Sequence, residues 1–144
     1  MSLDLMFSMA NGLAVLGWIG LLLSPFAPRW TDIVSGYAIP FVLAVVYAGL
    51  VILYFGDGEG GFDTLDNVVL LFTQRELVLI GWLHYLAFDL FIGAWEARTA
   101  RAEKIPFLLV VPCFVFTFLL GPVGLALFLI LRGVRRAMAR RAAA

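Results

Sequence analysis

Four apolar runs, at 5–24, 37–55, 77–95 and 106–131, take up most of a 144-residue chain and leave it few folds to adopt. Each is close to the ~20 residues that cross ~30 Å of hydrocarbon at 1.5 Å per residue. None shows the alternation of a barrel strand, so the runs read as helices. Composition agrees. Hydrophobic residues make up 63% and charged residues 14%, against about 45–50% and about 25% in soluble domains. With a mean hydropathy of +1.02, this excludes a soluble globular domain and a disordered chain. Ten basic residues balance ten acidic ones, so no net field favours polyanions and nucleic acid is not an expected partner. The fold class expected is all-α: a polytopic membrane protein with four transmembrane helices in one domain, 1–144, ending in a basic tail at 132–144.

The boundaries carry their own signals. Pro25 and Pro28 stop the first run, because proline cannot continue a helix. GDGEGGFD ends the second with glycines and acids that do not stay in lipid. Arg75 and Glu76 precede the third run, and Glu96 and Arg98 follow it. Lys104 and Arg132 bracket the fourth. No basic n-region or small-residue cleavage site accompanies the first run, so it reads as a retained span and not a signal peptide. Four spans put both termini on one side. The tail arginines favour the cytoplasm for that side, of an inner or plasma membrane, whereas Arg98, Arg101 and Lys104 in the opposite loop argue against it.

The 56–76 loop is the most acidic, with Asp57, Glu59, Asp63 and Asp66. Its apolar stretch at 65–72 is too short to span and is expected in the interface or re-entering the membrane. Thr73-Gln74-Arg75-Glu76 has capping-box spacing, with Thr73 as N-cap and Glu76 at N3 of the third span.

Polar residues inside the runs are the candidates for function. An ionisable group at mid-membrane costs roughly 2.5–3.5 kcal/mol on insertion scales, so it must face protein, water or a ligand. His84 lies about eight residues from Glu76 and Asp89 about seven from Glu96, which makes both deep. At 100° per residue, Trp82, Tyr85, Asp89, Gly93 and Glu96 form one stripe, and Gly81, His84, Phe88, Phe91 and Trp95 another. His84 and Asp89 are thus roughly 140° apart and do not pair directly. Either could donate or accept a proton beside a ligand. The other reading makes each a buried polar group that joins helices by hydrogen bonds. Asp89 and His84 are the candidate catalytic pair. Trp82, Tyr85, Trp95, Asn11 and Thr117 are the candidate substrate-binding residues, with packing, interfacial-belt or interhelical hydrogen-bonding roles as their alternative. Glu96 and Arg98 read as a solvated rim at the membrane boundary. Pro112 and Pro122, with Gly121 and Gly124, predict a kink near Thr117 that could open a cavity beside span three. Pro106 reads as an N1 proline and Cys113 as a small buried hydrophobe.

There is no phosphate loop, HExxH, GxSxG or CxxC, and the chain has one histidine and one cysteine. No metal site and no cofactor are expected from such a set.

WLHYLAFDLFIGAWEAR, with Trp82, His84, Tyr85, Asp89, Gly93 and Trp95, resembles the abscisic-acid-deficient-four family of neoxanthin-synthase-like membrane proteins. TFLLGPVGLALFLILR, carrying Thr117, Phe118, Gly121, Pro122, Gly124 and Arg132, is a second match, and the stretch from Asn11 through SPFAPRW a third. The resemblance implies a role in xanthophyll metabolism. Plant members are tied to conversion of violaxanthin to neoxanthin, formally an isomerisation: an epoxide opens with acid assistance and a proton leaves the polyene to give an allene. That chemistry needs a proton donor and a proton acceptor beside an apolar slot. The expected partners are membrane lipid and an apolar polyene or isoprenoid ligand, with a homo-oligomer or a partner membrane enzyme left open. Two other readings stand beside an isomerase: a non-catalytic pigment- or lipid-binding scaffold, and a small transporter subunit with Asp89 as its ion site.

Overall fold

A computed structural model describes residues 2–56 and 58–142; Asp57 and the last two residues of the basic tail lie outside the described residues. All regular structure among them is helical. Helix α1 (Leu3–Leu22) starts at Ser2, whose hydroxyl accepts from the Leu5 amide. Helix α2 (Pro28–Ile33) starts on a proline, which loses nothing at a position without an intrahelical partner. It runs through a π-helical turn, Val34–Ala38, into α3 (Ile39–Tyr54), so that Pro28–Tyr54 is one 27-residue helix. The second span therefore begins nine residues before the expected 37. Its polar start is tied down by packing: Thr31 Oγ1 donates to the Gly20 carbonyl of α1 at 3.1 Å. Pro40 cannot donate to the carbonyl four residues back and its ring would crowd that carbonyl. The wider π turn precedes it, with Ile39 N–H bonded to Val34 O.

The short stretch at 65–72 becomes α4 (Leu65–Leu71), capped by Thr64, whose hydroxyl accepts from Asn67 N–H. The capping box does not form. Thr73 Oγ1 instead donates back to Leu70 O at 2.7 Å, and α5 (Arg75–Ala102) starts behind Gln74 with no side-chain cap. Gln74 clamps the loop, its amide donating to Glu59 O and accepting from Glu59 N–H.

Helix α5 is the central element, with α1, α3 and the last two helices packed around it. Just past its end, Lys104 has a left-handed φ of 54°, as Ile105 N–H bonds back to Ala100 O at 2.8 Å. Pro106 sits at the N-cap of α6 (Phe107–Leu120), one position before the expected N1.

The expected fourth span, 106–131, is not one helix. The chain breaks at Gly121 (φ 42°), and α7 (Pro122–Ala142) sets off in a new direction. A left-handed residue followed by proline cannot continue α6. Fourteen residues give α6 a length of only ~21 Å. Helix α7 folds back along it: Gly124 lies against the Thr117 backbone, Phe128 meets Trp95 edge-on at 5.4 Å, and Arg132 reaches Glu103. Three helices are long and apolar enough to cross a membrane, and α6–α7 is a hairpin whose open end lies at the C-terminal end of α5. Asp4 pairs with Arg75 at the opposite end. The two ends of the described chain accordingly lie at opposite ends of the bundle, whereas four full spans would have placed them together.

Candidate functional site

The stripe Trp82–Tyr85–Asp89–Gly93–Glu96 faces α1 and the hairpin, exposed at Trp82, partly exposed at Tyr85 and Asp89, and buried at Gly93 and Glu96. Trp82 stacks on Tyr85 with ring centroids 5.3 Å apart and donates from Nε1 to Asn11 Oδ1 at 3.1 Å; Asn11 in turn donates to Phe7 O. Tyr85 Oη donates to Phe118 O, near the end of α6, at 2.8 Å. Asp89, one turn further, lies against the break: a Cβ on Gly121 would sit 2.8 Å from Asp89 Oδ1. Any other residue there would meet both the strain of the positive φ and the carboxylate. Asp89 Oδ2 is buried without a hydrogen-bond partner. At Gly93 the missing side chain makes room for the Trp18 indole, whose Cη2 would lie 2.6 Å from a Cβ.

Glu96 overturns the reading of a solvated rim. It is 0% exposed. Thr117 Oγ1 donates to its Oε1 at 3.0 Å, and Oε2 has no partner. The signal was present in the stripe, because Glu96 continues the face of Asp89 and Gly93 that the bundle buries. Its position next to Arg98 obscured that. Arg98 is not a solvated rim residue either: it is half-buried, with its guanidinium 5.2 Å from the Tyr37 ring centroid and 5.9 Å from that of Phe91.

His84 faces elsewhere. Its ring stacks on Phe88 with centroids 4.5 Å apart and lies 5.8 Å from that of Tyr47 on α3. It borders an apolar groove of about 410 Å³ between α3, α4 and α5, lined also by Tyr47, Val51, Phe62, Phe72 and Gly81. That volume is within the range of small-molecule sites, which are mostly apolar with a few placed polar groups. Tyr47, which no sequence signal distinguished from packing aromatics, is the second polar side chain of this groove.

The seven expected site residues are therefore not gathered into one place. Asn11, Trp82, Tyr85 and Thr117 are joined to one another's helices by hydrogen bonds around that stripe. Trp95 packs on Phe128 of α7 under Arg132. His84 alone of the seven lines the groove, and Asp89 is on another face of α5. Cys113 is buried, with its thiol directed to Leu109 O. Among the described residues, no group of three or more His, Cys, Asp or Glu is placed to hold a metal ion.

Three long apolar helices, a helical hairpin, and a buried Glu96 and partly buried Asp89 packed against it define a polytopic membrane protein of the helical class. The chain matches the ABA DEFICIENT 4-like family over residues 5–128 and belongs to it. That family includes neoxanthin-synthase-like proteins. No curated protein and no solved structure matches the chain.

Proposed function

We propose that this protein binds a carotenoid or related isoprenoid lipid and isomerises it by proton transfer, with His84 in contact with the reacting end. The observation that carries this reading is the placement of the chain's one histidine on an aromatic-walled groove open to an apolar ligand. Family membership supports the substrate class.

The reaction balances without oxidant or reductant. An epoxide C–O bond breaks as its oxygen takes a proton, and a C–H bond of the polyene breaks as its proton leaves. The electrons of that bond complete an allene. Imidazole is suited to both transfers near neutral pH. Tyr47, across the groove at 5.8 Å between rings, supplies a hydroxyl to hold or relay the oxygen's proton. Asp89, on another face of α5 against Gly121, has no direct part in this groove.

The test uses the purified chain in detergent with violaxanthin, followed by chromatography of the pigments. Wild type is expected to form the allenic isomer. His84→Ala is expected to bind pigment and lose about 10²–10⁴-fold in turnover, the scale of a proton-transfer group. Wild-type turnover in both His84→Ala and Tyr47→Phe would overturn the proposal. Binding with no turnover by the wild type would leave a pigment scaffold.

A further inference from the structure

A second groove, about 340 Å³, runs between α3 and α5 further toward the α5 C-terminus, lined by Tyr37, Pro40, Phe41, Ala44, Phe88 and Phe91 among others. Its lining is almost wholly apolar. Arg98 stands at the end of this groove nearest the α5 C-terminus, because Cβ vectors tilt toward a helix N-terminus and carry its side chain back over Phe91. Tyr37 and Phe91, which flank the guanidinium, also line the groove. Gly36, in the π turn, lets the head settle against the helix: a Cβ there would meet Nη1 at 2.5 Å.

Arg98 is unlike its neighbours. Arg101 donates from Nη2 to both carboxylate oxygens of Asp32, although its Nη1, like that of Arg98, is buried without a partner, and Arg132 and Arg136 share Glu103. Arg29 and Lys104 are exposed. Among the described residues, Arg98 is the basic group at this end that is half-buried with no acidic partner, and its Nη1 is buried with no hydrogen bond at all. A cation held in that way at the edge of hydrocarbon is short of one anion.

We propose that this groove is a binding site for an anionic phospholipid, whose phosphate pairs with Arg98 and whose chain lies along Tyr37, Phe41 and Ala44. A neutral polyene would fill the apolar part and leave the guanidinium uncompensated; a free phosphate would meet the cation and leave the apolar part empty. An anionic lipid satisfies both. The groove adjoins the one at His84, whose ring stacks on Phe88 of its lining, but its existence does not depend on the reaction proposed there.

Native mass spectrometry of the full chain in mild detergent tests this, with phosphatidylglycerol, phosphatidylcholine and glycerol phosphate as probes. The wild type is expected to keep one phosphatidylglycerol in preference to phosphatidylcholine, and glycerol phosphate is not expected to displace it. Arg98→Gln should lower retention about fivefold, the effect of one cation at an anionic membrane surface. Arg29→Gln, at an exposed arginine of the same end, should leave retention unchanged. Ala44→Phe fills the groove without touching a charge and should lower retention as well, so the proposal stays testable if the arginine variant does not fold. Equal retention in wild type, Arg98→Gln and Ala44→Phe would overturn it. Displacement by glycerol phosphate would also overturn it, since the chain would then contribute nothing.

Discussion

Arg132 of α7 donates from Nε and Nη2 to Glu103 Oε1, at 2.8 and 2.5 Å, and so ties the returning arm of the hairpin to the end of α5. Arg136, one turn on, donates to the same carboxylate. This closure puts Arg29, Arg98, Arg101, Lys104 and the five arginines of 132–141 at one end of the bundle, leaving Arg75 alone among the basic residues at the other. The conflict between tail and loop that a fourth span would create disappears. The acidic loop residues Glu59, Asp63 and Asp66 lie with Arg75 at the opposite end.

By the bias of basic residues toward the cytoplasm, the C-terminal end is expected inside and Ser2 outside. Single cysteines at Ser2 and Met138, introduced in a Cys113→Ala background, should react with an impermeant thiol reagent from opposite faces of intact cells. Labelling of both from the same face would show that the hairpin crosses the membrane after all.

Gly121 is expected to be among the least replaceable residues. A side chain there meets both a left-handed backbone and Asp89. The backbone cost alone is roughly 1–2 kcal/mol. Gly121→Ala should lower unfolding stability in mixed-micelle titration by at least that much, and Gly121→Val by more. A Gly121→Ala chain as stable as wild type would mean that the turn adapts freely.

Glu96 and Thr117 form a buried hydrogen bond between α5 and α6. Interhelical bonds of this kind contribute about 0.6–2 kcal/mol in membranes. Thr117→Val should cost about that amount, measured by the same titration. Glu96→Gln, which keeps an acceptor for Thr117, should cost less than Glu96→Ala, which also leaves a cavity. The double variant Glu96→Ala/Thr117→Val should cost less than the sum of the two single changes.

Acid should loosen the hairpin's outer clamp. Hydrogen bonds from Arg132, then Arg136, hold Glu103 at about 2, below its usual 4.5. A carboxylate depressed on folding contributes in full above its ordinary value, and that contribution is lost as pH falls from 4.5 toward 2. Amide exchange in the α7 segment around Arg132 should accelerate over that window. Glu103→Gln should show the faster exchange already at neutral pH and no further change on acidification.

Much of this architecture was legible in the chain. Run length and apolarity announced α1, α3 and α5, and the stripe of α5 was readable from its 100° spacing. Glu96 belonged to that stripe but stood beside Arg98, and a residue near the end of an apolar run gives no sign of whether a neighbouring helix will cover it. The capping box at Thr73 failed for a similar reason. Thr73 had two uses, and the backbone it closes belongs to α4, whose existence depended on Thr64 as cap. The early start of the second span was hidden by Thr31, Asp32 and Ser35, which look like loop residues until Gly20 and Arg101 are brought alongside.

Sequence alone determined that the protein is helical and lives in hydrocarbon, because burying that many apolar residues depends on composition and period and not on who packs against whom. Tertiary structure decided where the last helix goes, which acids are buried and which face His84 presents. A GPxG stretch is compatible with a kink or a reversal, and the choice rests on contacts distant in the chain: Asp89 at the turn, Trp95 on Phe128 and Glu103 on Arg132. Those partners are separated by roughly thirty residues, a distance over which local propensity carries no information.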